Sequence, residues 1–151
     1  MPYVNEADLT SRFIRILRDK GWTDDLLREE PAFPAYQRQI RPDAALYIRP
    51  RKGGQPLLGG VIELKAANRA LLQNATIEQV ARYARELHVP IGYLSNGEVF
   101  HELDFSTEQP RVSRALPVAD FPSPKAFTAR YESVQGFQLD SSAAKPLTSS
   151  T

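Results

Sequence analysis

Apolar side chains recur at helical spacing in two segments of the chain. Residues 5–20 form the first segment, and residues 76–88 form the second. In the second segment, Thr76 is the expected N-cap and Gln79 stands three residues later, where it would close a capping box. The pattern therefore predicts two amphipathic helices.

Short apolar runs bounded by turn residues predict strands between and after these helices. Asn96-Gly97 separates two such runs, and this dipeptide is a strong signal for a tight hairpin turn. Gly59-Gly60 stands just before another run and indicates a β-bulge or a close backbone approach. The predicted strands are residues 36–41, 44–49, 57–66, 91–95 and 99–103.

The order of helix, strands, helix and strands predicts an α/β fold with a central mixed β-sheet flanked by helices. We expect residues 1–104 to form this core. Residues 105–139 contain several prolines and a predicted short helix at 124–133, and they would form a C-terminal extension packed on the core. Residues 140–151 are rich in Ser, Ala and Thr and are expected to be a disordered tail.

Composition excludes several classes of protein. The 151 residues are enough for one domain with its own core, and the absence of cysteine excludes disulfides and thiolate metal sites. The first residues lack the basic and apolar regions of a secretory signal. No apolar run approaches the roughly 20 residues of a membrane span. We therefore expect a cytoplasmic protein without a membrane partner.

The formal net charge is +1, but basic residues are concentrated around Asp43, which is the only acid in residues 36–52. A local basic strip can bind phosphates even when the whole protein is near neutral. The alternative is a solvated loop that is rich in arginine. The candidate phosphate contacts are Arg38, Arg41, Arg49, Arg51 and Lys52, together with Arg82 on the second predicted helix.

Two charged residues interrupt the apolar run of the third predicted strand. Glu63 and Lys65 are two positions apart, so they share one strand face while their neighbours point into a core. Buried charges are costly unless they have partners or a metal. Asp43 supplies a second carboxylate, and two carboxylates with one amine are suited to metal-dependent phosphodiester hydrolysis. The alternative is an exposed ion pair on an amphipathic strand.

These residues resemble a known signature. Pro42-Asp43, followed by nineteen residues and then by Glu63-Leu64-Lys65, is similar to the motif of the PD-(D/E)XK nuclease superfamily. Gln79 and Tyr83, which share a helix face, resemble the Q-x-x-x-Y motif of RecB-like members. Glu6 resembles the helix-one glutamate that joins the metal site in many members. Residues 6–104, about two-thirds of the chain, resemble the N-terminal nuclease domain of type I restriction enzyme R subunits.

The resemblance implies a restriction-endonuclease-like core and a Mg²⁺-dependent endonuclease that acts on DNA. Asp43 and Glu63 would ligate the metal with the backbone carbonyl of Leu64, and Glu6 would be an auxiliary ligand. Mn²⁺ is expected to substitute for Mg²⁺. The products would carry 5′-phosphate and 3′-hydroxyl ends.

The remaining roles also follow from the resemblance. Lys65 would position or activate the attacking water. Gln79 and Tyr83 would orient the catalytic residues or contact the substrate backbone. DNA is the expected partner, helicase or methyltransferase subunits are candidate partners, and double-strand cutting by a single site favours a homodimer. Removing Asp43 or Glu63 is expected to stabilise the metal-free fold, because it relieves carboxylate repulsion.

Several alternatives stay open. Glu6 could only complement the helix dipole, Gln79 could only close the capping box, and Tyr83 could only fill the core. His88 and His101 lack ligand spacing and are expected to be structural. The whole chain could instead be a nuclease-like module that binds DNA or a partner in a larger restriction assembly and has little activity alone. A small-molecule enzyme is disfavoured, because no phosphate-cradling glycine loop is present.

Overall fold

The computed structural model describes residues 6–31, 41–49, 54–66 and 72–135. The elements in chain order are α1 (Glu6–Asp19), β1 (Leu27–Glu29), β2 (Ala44–Ile48), β3 (Leu57–Leu64), α2 (Asn74–Leu87), β4 (Ile91–Ser95), β5 (Val99–Asp104), β6 (Arg111–Val112), β7 (Leu116–Pro117), a 3₁₀ turn (Val118–Asp120) and α3 (Pro124–Gln135). The described strands form one sheet in the order β1-β2-β3-β4-β5-β6, with β7 also paired to β5. β3 and β4 are parallel, and the other described pairs are antiparallel. The predicted α/β fold with a mixed sheet and flanking helices is confirmed.

Helices cover both faces of this sheet. On one face, Val61 of β3, Leu94 of β4 and Leu103 of β5 pack against α2. On the other face, a larger cluster joins the sheet to α1 and α3; its members include Phe13, Ile62, Leu64, Tyr93, Phe100 and Phe127. Because side chains alternate along a strand, β3 is buried on both faces, as is common for strands joined by a helical crossover.

The predicted hairpin is confirmed at Asn96-Gly97, between β4 and β5. Gly97 has a φ of +91°, a backbone conformation that glycine adopts readily. The side-chain oxygen of Asn96 accepts hydrogen bonds from the N–H groups of Glu98 and Val99, at 2.9 and 3.0 Å. The local turn chemistry therefore accounts for the register of these two strands.

α2 begins two residues before its predicted start, and the predicted cap is wrong. Gln73 is the N-cap, and it makes no capping hydrogen bond through its side chain. Its carbonyl accepts the N–H groups of Thr76 and Ile77, both at 3.0 Å, which closes the first turn early. Thr76 therefore lies inside the helix, where it is buried, and Gln79 does not close a capping box.

β1 was not predicted, since the first strand expected from the sequence began at residue 36. This short strand pairs with β2 in the register Leu27↔Leu46 and covers that edge of the sheet. Three residues are too few to show a period in the sequence. Residues 36–40 of the next predicted strand and the tail at 140–151 lie outside the described residues.

The predicted special role of Gly59-Gly60 is confirmed. The pairing of β2 with β3 slips at this point, because Leu46 faces Gly60 and Tyr47 faces Leu58. A Cβ on either glycine would lie 3.0 Å from the ring of Phe127 on α3. The two glycines therefore accommodate a bulge and also let α3 pack closely on the strand.

A polar network holds α3 to the same face of the sheet. The hydroxyl of Tyr93, which is fully buried, donates to Glu102 at 3.0 Å. Arg130 of α3 donates to the other oxygen of Glu102 at 2.8 Å. Burial raises the pKa of Tyr93 well above its ordinary value, and the charge of Glu102 raises it further.

In the part of the chain that is described, no helix is long and apolar enough to cross a membrane.

Candidate active site

Asp43 is held in place by backbone contacts on both sides. It directly precedes β2, and its N–H donates to the carbonyl of Ile62 on β3 at 3.1 Å. Its own carbonyl accepts the N–H of Glu30, which directly follows β1, at 2.8 Å. Its carboxylate accepts the N–H of Leu64 at 2.7 Å. Three strands thus fix the position of one half-buried carboxylate.

Glu63 and Lys65 lie on the face of the sheet that α2 covers. They alternate with Ile62 and Leu64, which face α1 and α3, as the spacing predicted. Glu63 is only 7% exposed, so the alternative of an exposed ion pair is wrong for this residue. The ammonium of Lys65 lies 3.3 Å from Oε2 of Glu63 and offsets part of the cost of burying that carboxylate.

The backbone of Leu64 faces Asp43. In an antiparallel pair, the N–H and C=O of one residue point toward the same neighbouring strand. The N–H of Leu64 donates to the Asp43 carboxylate, so the carbonyl of Leu64 lies on that same side of β3. Lys65, the next residue, instead donates its N–H to the carbonyl of Ser95 at the end of β4, at 3.0 Å. This alternation places the Leu64 carbonyl on the Asp43 side of β3.

Gln79 and Tyr83 form a pair on α2. The side-chain amide of Gln79 donates to the Tyr83 hydroxyl at 3.0 Å. Burial raises the pKa of Tyr83 above its ordinary value, and the negative charges of Glu63 and, to a smaller extent, Asp43 raise it further. The Gln79 hydrogen bond and the charge of Arg82 act in the opposite direction. The tyrosine hydroxyl therefore lies within electrostatic reach of both carboxylates.

The three predicted basic residues that the structure describes lie in different surroundings. Arg41 is exposed and stands two residues before Asp43, whereas Arg82 is half-buried on α2. Arg49 lies beyond the opposite end of β2, about 20 Å from Asp43 at the usual rise of a strand. There it forms an ion pair with Asp25 and donates to the carbonyl of Gly54 at 3.1 Å. The expected grouping of Arg49 around Asp43 is therefore wrong.

Other predicted residues lie outside the description. Arg38, Arg51 and Lys52 belong to ranges that are not described. Glu6 is the first residue of α1, and only its backbone is described.

The two histidines lie away from the carboxylates. His88 is exposed just after α2, with a φ of +58°. His101 is buried on β5, and its Nδ1 lies 2.9 Å from the carbonyl oxygen of Ser113, so this nitrogen carries the hydrogen. Neither is brought into the site with Asp43. Glu30 and Ser95, whose backbones hold Asp43 and Lys65, carried no signal in the sequence.

The donor set suits a hard divalent cation. Asp43 and Glu63 offer carboxylate oxygens from adjacent strands, and Leu64 offers a carbonyl. Mg²⁺ takes one or two protein carboxylates and keeps several waters, so it does not require more protein ligands than these. Among the described side chains, which exclude that of Glu6, no three His, Asp or Glu residues cluster as a metal site. The residues present therefore fit Mg²⁺ better than a metal that needs a full protein cage.

Comparison with known proteins adds one structural likeness. No family model and no curated protein matches the chain. Its structure is similar to that of a fragment assigned to the HsdR subunit of a type I restriction enzyme from Vibrio vulnificus YJ016, with a TM-score of 0.62 and 21% sequence identity. The likeness covers 90% of this chain and 27% of that one, so it extends beyond residues 6–104 but spans about a quarter of the larger chain. At this identity the likeness concerns the fold, and the chain has the α/β fold of that restriction-enzyme fragment.

Proposed function

We propose that the chain is a Mg²⁺-dependent endonuclease that hydrolyses DNA phosphodiester bonds. The observation that carries the proposal is the hydrogen bond from the Leu64 N–H to the Asp43 carboxylate. It brings the two halves of the nuclease-like motif together, although they are 21 residues apart in the chain. The likeness to a restriction-enzyme fragment agrees with this reaction class.

In this proposal Asp43, Glu63 and the carbonyl of Leu64 hold the metal, with Glu6 as an auxiliary ligand. The bound metal would neutralise non-bridging phosphate oxygens and make a water more acidic. Mn²⁺ would fit the same oxygen donors. Because Glu63 is buried beside Lys65, its carboxylate is held in one orientation before any ligand arrives.

The remaining side chains act on water and substrate. Lys65 lies beside Glu63, where its ammonium would hold the attacking water and stabilise charge in the transition state. Gln79 fixes the hydroxyl of Tyr83 within reach of the carboxylates, so this pair would orient the site or the substrate backbone. Arg41 is the exposed cation closest in sequence to Asp43 and would contact a neighbouring phosphate.

Cleavage of supercoiled plasmid by the purified chain tests this function. Nicked or linear product with Mg²⁺ or Mn²⁺, and none with EDTA, is the expected result. End-labelling of the products should find 5′-phosphate and 3′-hydroxyl ends. Absence of cleavage on duplex, single-stranded and branched DNA with either metal would contradict independent nuclease activity.

A second candidate function is favoured by the size of the matched protein. The chain corresponds to 27% of a restriction-enzyme subunit fragment, so it could be a DNA- or partner-binding module that cuts only inside a larger cytoplasmic assembly. Helicase or methyltransferase subunits are the partners proposed for such an assembly. DNA binding without cleavage, together with cleavage after such subunits are added, would support the module. A dimer in solution would instead support two copies acting on the two DNA strands.

A further inference from the structure

Arg82 contacts an aromatic ring but has no ion-pair partner in the described part of the chain. Its guanidinium carbon lies 5.8 Å from the centre of the Tyr83 ring. Its Nε is buried and has no hydrogen-bond partner among the described residues. None of the ion pairs found among those residues includes Arg82. A buried donor without an acceptor is unfavourable, and Arg82 as a whole is only half-buried, so a ligand that brings acceptors to this guanidinium is expected to bind favourably.

The Tyr83 hydroxyl is a second donor at the same place. Its oxygen accepts the hydrogen bond from the Gln79 amide at 3.0 Å, which leaves its own hydrogen to be donated. Gln79, Arg82 and Tyr83 occupy positions i, i+3 and i+4, so they share one face of α2. Long helical side chains lean toward the helix N-terminus, which directs Arg82 and Tyr83 toward the level of Gln79.

The charges around the Arg82 guanidinium and the Tyr83 hydroxyl indicate which kind of ligand these donors would bind. The charges of Asp43 and Glu63 act on Tyr83, and the ammonium of Lys65 is already paired with Glu63. Among the charged side chains that act on Tyr83, the guanidinium of Arg82 is thus the group that can receive an anion. A guanidinium presents paired N–H groups that match the oxygens of a phosphate.

We propose that Arg82 and Tyr83 form a phosphate seat on α2 that binds one phosphodiester of the DNA backbone next to the bond at the metal-binding carboxylates. The seat rests on the proposed function, because it serves the same substrate. It differs from the metal site in needing no cation, so it contributes to substrate affinity in the absence of Mg²⁺. The guanidinium and the phenol hydroxyl each donate to non-bridging oxygens of that phosphate.

Equilibrium binding of a fluorescein-labelled DNA 20-mer to the full chain in EDTA tests the seat. The variants are Arg82→Gln, Arg82→Lys and Tyr83→Phe. Arg85→Gln is the matched control, because Arg85 is an exposed arginine one turn further along α2. Arg82→Gln is expected to weaken binding about tenfold, the size of one lost charged hydrogen bond. It should also reduce the slope of log K against log salt by about one, whereas Arg85→Gln should change neither.

The other variants separate the seat from a general loss of structure. Arg82→Lys should recover part of the affinity, since it keeps the charge and loses the paired geometry. Tyr83→Phe should weaken binding by about threefold without changing the salt slope, because it removes a neutral donor. Melting curves of Arg82→Gln and Arg85→Gln should coincide within a few degrees. If Arg82→Gln unfolds, the DNA affinity of Arg82→Lys is compared with that of the wild type instead. A lower affinity of Arg82→Lys supports the seat, and an equal affinity contradicts it.

Three results would overturn the seat. They are an equal loss of DNA affinity in Arg82→Gln and Arg85→Gln, a DNA affinity of Arg82→Lys equal to that of the wild type, and no DNA binding by the wild type. Titration of the DNA complex with inorganic phosphate then distinguishes a site for the DNA backbone from a site for a small phosphate. If inorganic phosphate displaces DNA only at tens of millimolar, the seat is a site for the DNA backbone. If phosphate binds tightly and the Arg82 variants bind DNA as well as the wild type, the seat is a site for a small phosphate. Because binding is measured without metal, a chain that binds through Arg82 and never cleaves would refute the proposed nuclease and leave the seat standing.

Discussion

The N–H of Leu64 donates a 2.7 Å hydrogen bond to the carboxylate of Asp43. The backbone of one strand therefore positions a side chain that precedes the neighbouring strand. The same contact places Asp43 beside Glu63, the residue before Leu64. Any change in the pairing of β2 and β3 would move the two carboxylates relative to each other, so the sheet itself sets the geometry of the site.

The first prediction is that DNA cleavage depends on each of the three charged residues of the motif. Asp43→Ala, Glu63→Ala and Lys65→Ala should each reduce plasmid cleavage by at least about 10²-fold, the usual cost of removing a group that stabilises transition-state charge. Glu78→Ala is the control, because Glu78 is exposed on α2. Circular dichroism should show a folded chain in every case. A variant that is folded and cuts at the wild-type rate would remove that residue from the mechanism.

The second prediction concerns stability without metal. Glu63→Gln should raise the melting temperature in EDTA, because removing a buried charge that repels Asp43 outweighs the loss of its ion pair with Lys65. Asp43→Ala should lower it by a few degrees, since the Leu64 N–H loses its acceptor at a cost of about 1–2 kcal/mol. The sequence had predicted stabilisation for both changes. The hydrogen bond to Leu64 reverses the expected sign for Asp43.

Thermal melts with increasing Mg²⁺ complete this comparison. The wild type should gain stability with metal concentration, whereas Glu63→Gln should gain much less because a ligand is weakened. Equal destabilisation of both variants in EDTA would mean that Glu63 is also held by stabilising contacts. A wild-type melting temperature that does not change with Mg²⁺ would count against the metal site.

The elements that the sequence predicted well are those with strong local signals. The Asn96-Gly97 turn defines β4 and β5, and the apolar face of α1 agrees with the helix found at Glu6–Asp19. The pairing of Glu63 with Lys65 on one face follows from strand alternation alone. The close approach at Gly59-Gly60 was also readable, because glycine in a strand signals missing side-chain volume.

The features that could not be predicted depend on contacts between distant segments. β1 exists through its pairing with β2, and three residues carry no period of their own. Glu63 is buried because the crossover places α2 over it, which no local pattern reveals. Arg49 is near Asp43 in sequence but is separated from it by the whole length of β2, where Asp25 pairs with it. A cluster in sequence is thus spread along a strand in space.

The third prediction concerns alkaline pH. The folded chain holds Tyr93 as a neutral phenol, because burial and the nearby charge of Glu102 raise its pKa well above the ordinary 10.0. The unfolded chain ionises this tyrosine near its ordinary pKa, so the stability from Tyr93 is complete below about pH 10 and declines above it. The slope is about 1.4 kcal/mol per pH unit for this group, until the folded pKa is reached.

Urea unfolding between pH 8 and pH 11 measures this dependence. Tyr93→Phe should be less stable at pH 8, because Glu102 loses a donor, and it should show a shallower decline above pH 10. Tyr47 and Tyr83 also have raised pKa values, chiefly through burial, and they contribute to the decline that remains in the variant. Parallel curves for the variant and the wild type would show that Tyr93 is not a source of the alkaline instability.

The last prediction concerns the contact between the strand that carries Glu63 and the C-terminal helix. A Cβ on Gly60 would lie 3.0 Å from the Phe127 ring and 3.2 Å from the carbonyl oxygen of Ile91, so Gly60→Ala should destabilise the fold by about 1–3 kcal/mol. In a Phe127→Leu background the smaller side chain gives way, and the same change should cost less, although the backbone oxygen still opposes it. Urea midpoints of the four proteins give the coupling. An equal cost of Gly60→Ala in both backgrounds would show that the ring does not restrict β3, because the clash would then come from the backbone of β4 alone.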